Sequence, residues 1–142
     1  MVKFRNYQTS DYSSVKENLQ EAEMYDERWD SEDNLAGMIA RDPESVIVAY
    51  ERNAVVGHLV IVPYGVKITY LFRLVVKKNY RNQGIASLLI KRAEGIAKKR
   101  GAREIGFYVD TQKSTLHSFY KKRGFGTSRK LQTYMYMWKE LK

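Results

Sequence analysis

The stretch YLFRLVVKKNYRNQGIA, residues 70–86, decides how the rest of the chain is read. Tyr70 to Val76 is apolar apart from Arg73, which predicts a central strand covered on both faces, although periodicity alone leaves a buried helical segment open. Lys77 to Gln83 is polar and basic. From Ile85 the apolar residues Leu88, Leu89, Ala93, Ile96 and Ala97 follow the spacing of an amphipathic helix, which Gly101 is placed to end as the residue just past its C-cap. The stretch is therefore strand, loop and helix start. Unpaired N–H groups at a helix start point outward with partial positive charge, and Gly84 lets a ligand approach the backbone there. Arg81 adds a guanidinium that can fork two phosphate oxygens, and Lys77 and Lys78 raise the local potential, so a diphosphate is the natural ligand. On spacing alone the same residues also read as a polar turn with a convenient glycine.

Upstream, Val2 and Phe4 alternate with Lys3 and Arg5 as in a short strand. Thr9, Ser10 and Asp11 supply cap chemistry for a helix bearing Tyr12, Val15, Leu19 and Ala22, and Asp30 or Ser31 can cap a second helix presenting Leu35, Met38 and Ile39. Pro43 disfavours helical geometry at Asp42 and stops that helix. Ser45 to Tyr50 and Val55 to Val62 are β-branched runs joined by Glu51, Arg52 and Asn53, which predicts a hairpin. Downstream, Glu104 to Val109 is strand-like, Thr111 or Ser114 opens a helix through Arg123, and residues 125–138 can form two closing strands. Helix and strand mix throughout, with an antiparallel start and a β-α-β unit in the second half, which predicts an α/β fold.

A chain of 142 residues has the size of one domain, so residues 1–142 are read as a single domain with no linker. No apolar run reaches the ~18 residues a membrane span needs, and the first residues show no secretory h-region, so a cytoplasmic protein is expected. The chain has no cysteine, which excludes disulfides, thiolate metal sites and a cysteine nucleophile. The net charge of +9 implies affinity for polyanions, yet no RNP, zinc-finger or helix-turn-helix signature is present, so nucleic acid is not the expected partner. His58 lies in an apolar strand and reads as a packed or hydrogen-bonded residue; His117 reads as a surface residue one helical turn before Tyr120. Two isolated histidines make no metal site.

A second segment, Phe119-Tyr120-Lys121-Lys122-Arg123-Gly124-Phe125, completes the pattern. An apolar strand ending in Leu74, Val75 and Val76, a basic loop, then Arg81, two residues, Gly84 and Ala86 resembles the pyrophosphate motif Q/R-x-x-G-x-G/A of the GNAT superfamily of N-acetyltransferases. The second segment resembles that family's F-Y-x-x-x-G-F element. The resemblance implies a GNAT-type acyl-CoA N-acyltransferase fold: a central mixed, mostly antiparallel twisted sheet flanked by helices. It implies acetyl-CoA as cosubstrate without a metal, and an amine acceptor that is a small molecule or a protein. Backbone at Leu74, Val75 and Val76 would bind the pantetheine arm. Arg81, Asn82, Gln83, Gly84, Ile85 and Ala86 would hold the pyrophosphate. Tyr120 would protonate the departing thiolate; its alternative reading is a core aromatic. A homodimer is compatible with the resemblance, and Tyr134 to Trp138 could pair with a neighbour as readily as fill the core.

Several family features are absent. Lys113 stands where many relatives carry an asparagine, and Tyr108 stands where some carry a glutamate base. Asp110 shares a strand face with Tyr108 and is the candidate base, with Glu21, Glu23, Asp26 and Glu27 as weaker ones. An α-amine with a pKa of about 7.8 is neutral in roughly one molecule in seven at neutral pH, whereas a lysine-type amine costs about 4.6 kcal/mol to deprotonate. The missing base therefore leans toward a low-pKa acceptor or a water-mediated proton transfer. The rival reading is a noncatalytic acyl-CoA-binding regulatory module.

Overall fold

The computed structural model describes residues 1–107 and 114–126. Its contacts divide the chain into two compact units, residues 1–107 and 108–142. The first unit is a five-stranded sheet in the order β1 (Lys3–Asn6), β2 (Val46–Glu51), β3 (Ala54–Tyr64), β4 (Ile68–Val76) and β5 (Glu104–Gly106). The first four strands run antiparallel to their neighbours, and β5 pairs parallel with β4. The sheet is thus mixed and mostly antiparallel. The parallel step needs a crossover, which is α4 (Ile85–Lys99). The remaining helices of this unit are α1 (Tyr12–Glu21), a single turn α2 (Glu27–Asp30) and α3 (Glu32–Arg41).

Strand β2 is apolar on both faces because both are covered. Ile47 and Ala49 join Val56, Leu59, Ile61 and Leu71 in a cluster with Ile85, Leu89, Ala93 and Ile96 of α4. Val46 and Val48 face the other way, joining Val55, Val60 and Val75 against Val15 and Leu19 of α1 and Leu35 of α3. The apolar stripes of these helices, each about a third of a turn wide, are what the sheet buries. The Arg100 guanidinium forks the Asp42 carboxylate at 2.8 Å through both terminal nitrogens, tying the end of α4 to the loop after α3 and holding the Asp42 pKa below the usual carboxylate value.

Helix ends explain much of the local pattern. Ser31 Oγ accepts from the Asn34 N–H at 3.1 Å and caps α3. Gly101 has φ +86°, its N–H reaches the Lys98 carbonyl and the Ala102 N–H reaches that of Ala97, which is a Schellman termination of α4. Helix α1 ends in the same way, with the Glu23 N–H on Gln20 and the Met24 N–H on Leu19, but Glu23 itself takes φ +58°. A left-handed glutamate is costly, so Glu23→Gly should raise the urea midpoint of unfolding by the equivalent of about 1 kcal/mol; a lower midpoint would contradict this account of the turn.

The expectation for residues 70–76 needs correction. The strand begins two residues earlier, at Ile68, and is not covered on both faces along its length: Thr69, Leu71 and Val75 are buried, whereas Phe72 is 38% exposed. The cause is a β-bulge. His58 pairs with Val75 and Val60 with Phe72, so Leu59 stands opposite both Arg73 and Leu74, and Arg73 takes φ +55°.

His58 lies beside this bulge, fully buried, with no hydrogen-bond partner for Nδ1 among the described residues. It is packed, as expected, but its Nδ1 is not hydrogen-bonded. Burial, and next the charge of Arg73, lower its pKa from the usual 6.5 to about 4. Above the unfolded value the imidazole is neutral in both states, and below it the unfolded chain takes up a proton that the folded chain resists. Stability should therefore fall by about 3 kcal/mol as pH drops from 6.5 to about 4. Urea denaturation across this range should show that slope in wild type and a shallower one in His58→Leu; equal slopes would remove His58 from the account.

Candidate functional site

The site begins at the edge of β4 beside β5. Strand β5 pairs with β4 only from Ile68 to Tyr70 within the described residues, although β4 runs on to Val76. Among the described residues, no strand pairs with 71–76 on that side, an edge on which an extended ligand can lie as an added strand does. This edge leads directly into residues 77–84.

That loop is pinned from several sides. The Lys77 N–H donates to the Val56 carbonyl at 2.7 Å, and the Lys78 N–H donates to Glu21 Oε1 at 2.7 Å. Tyr80 packs against the α4-side core and hydrogen-bonds Glu51 through its side chain, which raises its pKa above the usual value. Arg81 folds back so that Nε donates to the Val76 carbonyl at 2.9 Å. This contact uses one donor and leaves the guanidinium placed at the junction of strand end and helix start. Gln83 Nε2 reaches the Asn79 carbonyl at 3.4 Å.

Gly84 is the N-cap residue of α4, with φ +82° and ψ 5°, a left-handed conformation that glycine adopts without penalty. A Cβ placed on Gly84 would meet nothing within 4 Å, so the requirement for glycine here is conformational and the space before the helix is open. The first backbone bond of α4 runs from Leu88 N–H to the Gly84 carbonyl at 3.1 Å, so the N–H groups of Ile85 and Ala86 lie ahead of the helical ladder. Asn82 also takes a positive φ, +63°, which curls the loop before the glycine. The sequence pattern did not reveal that second left-handed residue.

The second unit holds α5 (Ser114–Lys121), and its end explains the other motif. Gly124 has φ +88°; its N–H donates to the Lys121 carbonyl at 3.0 Å, and the Phe125 N–H donates to the Tyr120 carbonyl at 3.2 Å. This is again a Schellman termination, which requires the left-handed residue at position 124 and brings Phe125 back onto the helix. The rings of Tyr120 and Phe125 meet edge to face at 5.9 Å, and those of Tyr120 and Phe119 at 5.2 Å. The F-Y-K-K-R-G-F spacing therefore fixes the orientation of one tyrosine. Burial raises the Tyr120 pKa above the usual 10, against a smaller lowering by Arg123, so the phenol is protonated at neutral pH.

Asp110, Lys113, Tyr108, Thr111 and the closing strands expected in residues 125–138 fall wholly or largely outside the described residues. The weaker base candidates are each engaged or exposed. Glu21 accepts the Lys78 N–H, Asp26 pairs with Arg28 and has its pKa lowered by that hydrogen bond, and Glu27 accepts from the Tyr25 hydroxyl. Sequence reading missed the ion pair of Arg73 with Asp30, 43 residues apart, because no local signal connects them. No helix among the described residues is long and apolar enough to cross a membrane.

The chain matches the Acetyltransferase (GNAT) family over residues 2–125. It is 40% identical over 58 residues to GCN5-related N-acetyltransferase 4, chloroplastic, from Arabidopsis thaliana, which covers 41% of this chain and 20% of that protein. It is 31% identical over 96 residues to N-alpha-acetyltransferase 30 from Schizosaccharomyces pombe, covering 65% and 64% of the two chains. The chain thus spans less than two thirds of the length of these curated relatives. Its fold matches the crystal structure of PaiA N-acetyltransferase from Thermoplasma acidophilum in complex with coenzyme A with a TM-score of 0.79 at 23% identity, over 90% of this chain and 91% of that one. With the family match running from the first strand through the Phe125 turn, the chain belongs to the GNAT acetyltransferase family.

Proposed function

We propose that this protein is an acetyl-CoA-dependent N-acetyltransferase that acts by direct attack of an amine on the thioester. The observation that carries the reading is the β4 edge, unpaired beyond Tyr70 among the described residues, running into a left-handed Gly84 at the start of α4. Diphosphate oxygens would be held by the N–H groups at Ile85 and Ala86 and by Arg81, and the pantetheine arm would lie along Val76, Val75 and Leu74. The reacting end then falls at the bulge.

In the reaction the amine nitrogen bonds to the acetyl carbon, the carbon–sulfur bond breaks, and the thiolate takes the phenolic proton of Tyr120. The ammonium proton leaves to water or to Asp110, and solvent returns a proton to the Tyr120 phenolate. Tyr120 suits donation because its pKa lies above 10, and its role rests on its motif and its fixed ring. Binding both reactants together converts a bimolecular step into a unimolecular one, with no covalent enzyme intermediate. Residues 1–142 would serve as one acetyltransferase domain, and the use of acetyl-CoA fits a cytoplasmic setting. N-alpha-acetyltransferase 30 by its name acts on α-amines, the low-pKa class that least needs a base.

Direct attack predicts intersecting double-reciprocal lines and no acetylated enzyme by mass spectrometry after incubation with acetyl-CoA alone. Parallel lines with an acetyl-enzyme would replace direct attack by a two-step mechanism.

A further inference from the structure

Arg73 is not used by the acetyl transfer described above, yet the fold goes to some length to place it. Along β4 the side chains of Tyr70 and Phe72 pair with Val62 and Val60, on the face covered by α1 and α3. Strict alternation would send Arg73 to the α4 face. The bulge adds one residue, so Leu74 packs with the α4 cluster instead and Arg73 turns to the α1–α3 face, where Nε donates to Asp30 Oδ1 at 3.0 Å. The left-handed backbone at Arg73 is a strain of the kind stored at functional sites.

Asp30 is a rigid anchor. Its side chain is 4% exposed and its other oxygen accepts the Asp26 N–H at 2.9 Å, so the carboxylate is held from both ends. A guanidinium has five N–H donors, and the Asp30 contact uses one. Among the described residues the two terminal nitrogens of Arg73 have no hydrogen-bond acceptor, although the side chain is only 27% exposed. Nearby carboxylates have other hydrogen-bond partners: Asp26, whose charge also interacts with that of Arg73, holds Arg28, Glu27 accepts from the Tyr25 hydroxyl and Glu21 from the Lys78 N–H. The neighbouring His58 is uncharged at neutral pH. What is left is a planar fork held at one edge by Asp30, its side chain 27% exposed, next in the chain to the partly exposed Phe72.

We infer that Arg73 is the specificity-determining residue of the acceptor site and that it binds an oxyanion, a carboxylate or phosphate, carried by the amine substrate. The inference rests on the acetyltransferase reading, because that reading puts the thioester beside Leu74 and hence the attacking amine beside Arg73. Two parallel N–H···O bonds from one guanidinium fit either oxyanion, whereas a polyamine would bring a cation to a group that can only donate.

The test compares matched acceptors in wild type: an α-amino acid against its amide, an aminoalkyl phosphate against the corresponding amino alcohol, and spermidine. The amino acid and phosphate arms distinguish the two sources of the oxyanion. Wild type should favour at least one oxyanion-bearing member over its neutral partner by about 10- to 100-fold in kcat/KM, the usual worth of a charged hydrogen bond. Arg73→Gln should collapse that ratio through KM of the oxyanion acceptor, and Arg73→Lys should restore part of it. Calorimetric binding of acetyl-CoA reports whether each variant retains its fold. A wild type that prefers the neutral amines or spermidine overturns the inference, as does a ratio that survives Arg73→Gln. Failure of wild type to bind acetyl-CoA would instead overturn the acetyltransferase reading on which the inference stands.

Discussion

Gly84→Asp is expected to abolish measurable acetyl-CoA binding. Two effects add at this position. Any side chain at φ +82° strains the backbone, at a cost of about 1–2 kcal/mol. A carboxylate there also faces the diphosphate and the outward N–H groups of α4 that would bind it; one like-charge contact at 4 Å costs about 1 kcal/mol in water and about 4 kcal/mol at an effective dielectric of 20. Together they amount to about 2–6 kcal/mol, a loss of about 30-fold to more than about 10,000-fold in affinity. Gly84→Ala separates the two, because its Cβ meets nothing within 4 Å. The alanine variant should lose no more than about 5- to 30-fold, from backbone strain alone. Calorimetric titration of both variants checks this, and an unchanged affinity in Gly84→Asp would move the diphosphate elsewhere.

Tyr120→Phe should lower kcat by about 100-fold while leaving the acetyl-CoA dissociation constant close to that of wild type, since a positioned acid contributes about 10²–10⁴-fold and acts only as the bond breaks. The substitution keeps the ring that packs on Phe119 and Phe125, so folding is little affected. The pH profile adds a second check. Burial raises the Tyr120 pKa, so its proton is retained through neutral and mildly alkaline pH and its loss should appear in kcat only above 10. If the phenylalanine variant turns over like wild type, Tyr120 is a core aromatic and the thiolate takes its proton from water.

Much of this was legible in the sequence, for reasons that the structure makes physical. Gly84, Gly101 and Gly124 all take positive φ, and each marks a helix boundary that the residue type alone announces. The apolar stripe of α4 and the runs of β2 and β3 carried the layered fold. The same logic fails where a left-handed residue is not glycine: Glu23, Arg52, Arg73 and Asn82 carry no such signal. The bulge at Arg73 was hidden inside an apolar run, so the strand read as uniformly covered. The single turn α2 is too short for a periodic pattern, and the pairs Asp30–Arg73 and Asp42–Arg100 join residues 43 and 58 apart. Only the folded chain brings such partners together. For the site, the motif supplied the loop residues 81–86 and Tyr120, while the inward turn of Arg73 toward Asp30 had no counterpart in any local spacing.

The most direct measurement of the central claim is release of free CoA from acetyl-CoA by the wild-type protein across a panel of amines, with the acetylated product identified by mass spectrometry. The account predicts amine-dependent release with one class of acceptor and stoichiometric N-acetyl product. Tight binding of acetyl-CoA with no turnover on any amine would contradict it in favour of a regulatory acyl-CoA-binding module.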